Sequence, residues 1–328
     1  MSAIIRNPHV LPAAEPEEPL PPDYDHFYLQ HQQTVRTASG YYQNQRFLGR
    51  GGNGTTFLAT VTGGPLTGIQ VALKIFHKIS SEQRRRSFLE EIGYYKTLDH
   101  PAIIRFYDEG EFVVRDRVYP FVVVEYVPRS LQRYLSENGR RVDRITALRF
   151  MLSTTAALQY LHGREPPLLH RDIKPGNILI SGEQARLADF GLVKSLEEAA
   201  TDEPTEVREE IVYAAMPRFY RTPELVGRAK GEGTALTTAS DIYQLGSVLY
   251  EIITGFNPQV PPKDLTDDIV LNLKTIPGRC GKRLGDLIAS MLAENPTDRP
   301  TAAAVLEVLL RSHRDYCASA KELTGQFV

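Results

Sequence analysis

Residues 168–180, LLHRDIKPGNILI, constrain this chain more than any other stretch. The flanks, Leu168-Leu169 and Ile178-Leu179-Ile180, read as short strands heading into a core. Between them sit Arg171, Asp172, Lys174 and Asn177. Charges set between buried strands are costly to desolvate unless they are paired or face a ligand. One reading is a polar turn with a solvated tip; the other is a loop that a rigid scaffold holds against a ligand.

The surroundings are ordered. Pro8, Pro12, Pro16, Pro19, Pro21 and Pro22, with Glu15, Glu17 and Glu18 among them, leave residues 1–38 as a disordered leader. From Tyr41 the pattern turns to strands: YYQNQRFLG, TTFLATV and IQVALKIF, broken by glycines. A helix over 81–98 follows, with Phe88, Leu89, Ile92, Tyr95 and Leu98 at helical intervals, then strands IIRFYDEGEFV and VYPFVVVEYV. After Pro128 the chain is mostly helical. The expected fold class is α+β: a small five-stranded antiparallel sheet lobe with one main helix (39–127), a larger helical lobe (128–314) and a short tail (315–328). Two unequal lobes are expected to leave a ligand-binding cleft.

Three further stretches carry candidate chemistry. Gly49, Gly51 and Gly54 form G-x-G-x-x-G between two strands, where a dinucleotide-binding fingerprint needs strand followed by helix. The strand-to-strand setting suits a flap whose amides cover phosphates, or simply a hairpin turn. Lys74 interrupts the apolar strand VALK and must find an anion or expose its head, and Glu91 can supply the partner. LADFGLVK places Asp189 seventeen residues after Asp172. Asn177 and Asp189 offer the hard oxygen ligands that Mg²⁺ prefers, with triphosphate oxygens completing the shell. Asp172 is left to accept a hydroxyl proton, and Lys174 to neutralise a phosphoryl group, which together are the parts phosphoryl transfer needs.

In this order, the glycine loop, Val71-Ala72-Leu73-Lys74, His170-Arg171-Asp172-x-Lys174-x-x-Asn177 and Asp189-Phe190-Gly191 resemble the eukaryotic-type protein kinase family, over residues 41–312. RTPEL stands where the family has Ala-Pro-Glu, and Arg299 of NPTDRP where its arginine pairs with that glutamate, here Glu224. Asp241 is similar to the helix aspartate that braces the catalytic loop. The resemblance implies that Leu48, Gly49, Gly51, Gly54, Thr56, Ala72, Val124, Glu125, Val127 and Leu179 surround ATP, with Val124 as gatekeeper and Ala72 and Leu179 sandwiching the adenine. By the same resemblance Lys74 holds the α- and β-phosphates, oriented by Glu91 rather than Glu90. Asn177 and Asp189 hold Mg²⁺, and Asp172 is the base. Lysine two residues after that aspartate is the serine/threonine pattern.

Arg171 is the arginine that in the family reads a phosphate on the activation segment, here 189–224, which implies Thr201, Thr205 or Tyr213 as modification sites. Residues 197–210 are anionic enough to be the unmodified rival. The pattern also departs from the family. Asn53 and Thr56 replace an aromatic and a valine, Pro217 (or Met216, one residue away) stands where a threonine is usual, and Gly176 replaces a glutamate of basic-directed relatives.

The expected activity is transfer of the γ-phosphate of ATP to protein hydroxyls. A pseudokinase scaffold, or an enzyme acting on small molecules, is the alternative. The expected partners are protein substrates and a regulator docking on the leader. A net charge of -2 argues against nucleic acid. Two cysteines, and no apolar run of roughly 18 residues, argue for a reducing, cytoplasmic setting without a membrane.

Overall fold

The computed structural model describes residues 29–50, 54–76, 82–114, 117–190, 194–195, 219–264, 266–278 and 280–324. The chain divides into two compact units, Met1–Asp99 with Ile104–Val127, and His100–Ile103 with Pro128–Val328.

The first unit is an antiparallel sheet of β1 (Thr34–Arg36), β2 (Tyr41–Arg50), β3 (Gly54–Gly63), β4 (Gln70–Phe76), β5 (Phe106–Val114) and β6 (Arg117–Glu125), in the order β1-β2-β3-β4-β6-β5. Alternation along β4 sets its two faces. Val71, Leu73 and Ile75 join Phe57, Ala59, Val61, Phe121 and Val123 in one buried core. Helix α1 (Glu82–Thr97) packs against β5 and β6. Phe88, Ile92, Tyr95 and Leu98 are buried, as the helical spacing predicts. Leu89, expected on the same face, is 48% exposed. One residue turns the helix by about 100°, which carries Leu89 off the stripe.

The sheet has one strand more than expected, and the extra strand falls inside the stretch read as leader. The proline-rich composition ends at Pro22. Beyond it Leu29 and Val35 enter the sheet's core, and β1 pairs with β2. Asn44 fastens the segment, its Nδ2 donating to the carbonyls of Leu29 and Gln30 (both 2.9 Å). Asp108 adds a second anchor: its Oδ2 accepts from Thr37 Oγ1 (2.5 Å) and from Tyr42 OH (2.6 Å). Burial, and then the Asp108 carboxylate, push the Tyr42 hydroxyl well above its usual value, so it stays a donor. Asp108→Ala should therefore destabilise the chain by about 1–3 kcal/mol, because the buried Tyr42 hydroxyl loses its acceptor and Thr37 Oγ1 is left with the longer bond to Gly40 O (3.3 Å). Urea unfolding against the parent chain measures this.

The second unit holds α2 (Leu131–Glu137), α3 (Arg144–His162), α4 (Pro223–Ala229), α5 (Thr238–Thr254), α6 (Gly281–Met291) and α7 (Ala302–Thr324). It also carries a sheet of β10 (Gln184–Leu187), β9 (Ile178–Ser181) and β7 (Arg129–Ser130), and a ladder of β8 (Leu168–Leu169) with β11 (Lys194–Ser195). The caps are legible. Asp143 accepts from Thr146 N (2.9 Å) ahead of α3, and Thr237 with Ser240 forms a capping box on α5. Gly255 ends α5 at φ 83°, a left-handed conformation that favours glycine. Helix α7 runs past the expected boundary at 314, with Ala302, Val305 and Leu309 buried, and it packs on α3.

Helix α5 organises this unit. Every residue from Ser240 to Ile253 is buried, so it has no solvated face. Its polar side chains must then find partners inside the protein.

Candidate functional site

On the first unit, register brings the expected residues to one sheet face. Thr56 pairs with Lys74, and Ala72 with Val124. Side chains opposite each other across a ladder share a face, as do residues two apart on a strand. Thr56, Ala72, Lys74 and Val124 therefore line the face opposite the Leu73 core. Lys74 Nζ donates to Glu91 Oε1 (2.9 Å). Glu91 is buried, while Glu90 points out and pairs with Arg86 (3.2 Å). Of the two glutamates, Glu91 is the one that meets Lys74. Lys74 also lies over the Phe76 ring, which stacks on Phe88 of α1 (4.3 Å between centroids).

The glycine loop is described at its ends. Leu48 sits at a register shift between Phe47 and Gly49, a bulge that re-aims the strand. A Cβ at Gly54 would lie 2.8 Å from the Ile75 carbonyl oxygen, so close backbone approach requires glycine there. A Cβ at Gly49 would meet nothing within 4 Å. Gly51 and Asn53 lie outside the described residues. At the other end of the sheet the Glu125 amide donates to Arg105 O (2.8 Å), and Val127 is buried.

On the second unit the charged loop is a bonded network. Asp172 Oδ2 accepts from Lys174 Nζ (2.7 Å) and from Asn177 Nδ2 (2.7 Å). Asn177 Nδ2 also donates to Asp172 O (2.9 Å), and Asn177 O accepts from Ala188 N (2.9 Å). That last bond fixes the residue before Asp189. Asp189 has φ 64° and is exposed, while its neighbours Ala188 and Phe190 are buried. Aspartate tolerates this left-handed conformation better than most side chains. His170 locks the arrangement from below. Its Nδ1 accepts from Asp172 N (3.3 Å), its Nε2 contacts Ala188 O (3.2 Å), and its ring meets Phe190 edge to face. Burial pushes the His170 imidazole below its usual value, outweighing Asp241, Asp172 and Asp189, so the neutral ring that these bonds need is favoured. Leu179 is half-buried on β9 between Ile178 and Ile180, which are buried.

The donor chemistry suits a divalent cation shared with phosphates. Asn177 spends its Nδ2 on Asp172, which leaves Oδ1 as the atom it could offer a cation, and Asp189 could add a carboxylate. No group of three or more His, Cys, Asp or Glu side chains able to hold a metal occurs among the described residues. Mg²⁺ commonly takes one or two protein ligands and completes its octahedron with phosphate and water. The pair therefore fits.

Asp241 does what the resemblance implies. Fully buried at the start of α5, it accepts from His170 N (2.9 Å), Arg171 N (2.7 Å) and His162 Nε2 (2.9 Å). Burial works to raise its carboxyl, but the hydrogen bonds from the His162 side chain and the His170 backbone hold it below the usual range. Glu224 and Arg299 also meet, at 2.5 Å, with both side chains buried. Gln244 escaped the sequence reading. The signal was available: Asp241, Gln244 and Glu251 fall within about 80° of one another around a helix. The candidate modification sites Thr201, Thr205 and Tyr213, and Met216 and Pro217, lie outside the described residues.

The sheet unit thus carries a lysine–glutamate pair, and the helical unit an Asp-Lys-Asn network ahead of Asp189 and Phe190 in the sequence. Residues 42–309 match the family model described as "Protein kinase domain", and the chain belongs to that family. It is 28% identical over 287 residues to a "Probable cell cycle serine/threonine-protein kinase CDC5 homolog" of Encephalitozoon cuniculi, covering 84% of this chain and 55% of the relative. It is 33% identical over 227 residues to the "Serine/threonine-protein kinase PrkC" of Bacillus subtilis (68% and 32%). To the "Serine/threonine-protein kinase PknB" of Mycolicibacterium smegmatis it is 30% identical over 244 residues (72% and 37%). The matched region thus spans about a third to about half of these relatives. Among the described residues no helix is long and apolar enough to cross a membrane.

Proposed function

We propose that the chain is an ATP- and Mg²⁺-dependent protein kinase that transfers the γ-phosphate to serine or threonine hydroxyls of proteins. The observation that carries this is the Asp172 carboxylate, oriented at once by Lys174 and Asn177 and braced from below by His170. A carboxylate so fixed is a positioned general base. The rest of the inventory supports the reading. Lys74, held by Glu91, would bind the α- and β-phosphates. The backbone at Gly49, Gly51 and Gly54 would cover them. Leu48, Thr56, Ala72, Val124, Glu125, Val127 and Leu179 would enclose the adenine and ribose. Asn177 and Asp189 would hold Mg²⁺, which when bound neutralises charge on the phosphates. Lys174 would leave Asp172 for the phosphoryl group as charge develops there, and Asp172 would take the acceptor's proton. A cytoplasmic setting completes the proposal, as does a regulator reaching the amino-terminal segment.

Incubating the chain with γ-labelled ATP, Mg²⁺ and a generic acceptor protein tests this. Label is expected on phosphoserine or phosphothreonine after acid hydrolysis. Tight nucleotide binding with no labelled hydroxyl would make the chain a scaffold, and label on a small molecule alone would move it to another substrate class.

A further inference from the structure

Gln244 lies in the wholly buried helix α5 and is 1% exposed. A carboxamide there must satisfy both its donor and its acceptor atoms. It does so on two separate segments. Oε1 accepts from Ile173 N (2.9 Å), and Nε2 donates to Arg171 O (3.2 Å) and to Tyr220 O (3.1 Å). Ile173 and Arg171 flank Asp172, while Tyr220 lies four residues before Glu224, at the far end of the segment that begins at Asp189.

The two carbonyls that Gln244 holds belong to residues in the same uncommon conformation. Arg171 has φ 68° and Tyr220 φ 66°. A non-glycine residue at such φ costs of order 1–3 kcal/mol and persists only where its surroundings fix it. Tyr220 is fixed a second time, its hydroxyl donating to Glu251 Oε2 about two turns along the same helix. Glu251 also accepts from Arg140 Nη1 (2.9 Å) and from Asn257 Nδ2 (3.4 Å). Asp241 accounts for the amides of His170 and Arg171, but it does not reach Tyr220 by any bond described.

We propose that Gln244 is a positioning residue. Its single carboxamide latches the backbone on both sides of Asp172 to Tyr220, so that the base and the acceptor-side end of the 189–224 segment keep one register. The inference rests on the kinase reading for its catalytic meaning, since a latch of this kind matters only if an acceptor hydroxyl must meet Asp172. It assigns Gln244 no contact with nucleotide or acceptor.

Gln244→Met keeps length and approximate volume while removing every bond. With the full chain, peptide phosphorylation and backbone amide exchange over 168–173 and 219–222 are measured together. The latch predicts that kcat falls about 10- to 100-fold, the scale of a small misplacement of reacting groups. The KM for ATP stays within about twofold, and exchange rises in both segments. A kcat within about twofold of the parent, or faster exchange in only one segment, overturns it. If Gln244→Met does not fold, Gln244→Glu, which keeps the acceptor for Ile173 but turns a carboxylate on two carbonyls, is read by the same criteria. If neither variant folds, Gln244 is only a core-packing residue and the latch is overturned. Exchange needs no transfer, so a parent chain that labels nothing, yet loosens in both segments on Gln244→Met, would sink the kinase reading and support the latch.

Discussion

Asp172→Ala should lower the rate of phosphate transfer to protein by about 10³-fold, within the range that positioned acid–base groups contribute. The substitution removes the proton acceptor and also frees Lys174 Nζ and one of the two Asn177 bonds. Asp172→Asn separates these effects, because it keeps a side-chain oxygen for Lys174 and Asn177 but has no carboxylate. Both variants are expected to lose transfer together, which ties the loss to the missing base rather than to a disordered loop. Nucleotide affinity should stay within about threefold, since Lys74 and Glu91 pair without Asp172. Initial-rate labelling beside a fluorescent-nucleotide titration reads both quantities. An alanine variant that keeps more than about a tenth of the parent rate would place the base elsewhere.

The second large effect concerns stability. Arg299→Leu should destabilise the chain by about 3–5 kcal/mol, because it leaves the buried Glu224 carboxylate without its cation. At this chain length that corresponds to a fall in Tm on the order of 10 °C. Arg299 also donates to the carbonyls of Ala293 (2.8 Å) and Glu294 (2.9 Å), which are neighbours, and of Ala239 (3.0 Å), so the loss reaches two further backbone segments. The double variant Glu224→Leu with Arg299→Leu removes the stranded charge. It should recover part of the loss, as replacing a whole buried pair often does. Calorimetry on the three proteins checks the order, and a single variant melting within about 2 °C of the parent would show that the pair is not required.

Much of this was legible in the residues. Lys74 in an apolar strand demanded an anion, and the helix after it offered two glutamates. The resemblance pointed to Glu91, and in α1 it is Glu91 that meets Lys74 while Glu90 turns out to Arg86. The loop at 168–180 announced buried charge, and Asp172 finds Lys174 and Asn177 within it. Yet the groups that bond the loop's backbone and the His170 ring lie at 188, 241 and 244, and sequence distance hides such pairings. Composition misjudged residues 29–38. They have no proline and little apolar content, and their place in the sheet comes from Asn44 and Asp108, which lie in other strands. Gln244 was missed because an uncharged polar side chain between Tyr243 and Leu245 reads as a tolerated exception. Only the burial of every face makes its bonding obligatory.

The short strand β1 has a consequence for the margin of the sheet. Strand β2 is ten residues long, and without a covering neighbour it would present a row of free backbone groups to any other chain. Three residues of β1, with Arg36 laid over the Tyr41 ring at 5.2 Å, close the start of that row and put a cation at the new border. A fragment cut at Gly40 would keep every motif of the catalytic domain and still gain a sticky flank, so its faults in handling would be those of self-association rather than of chemistry.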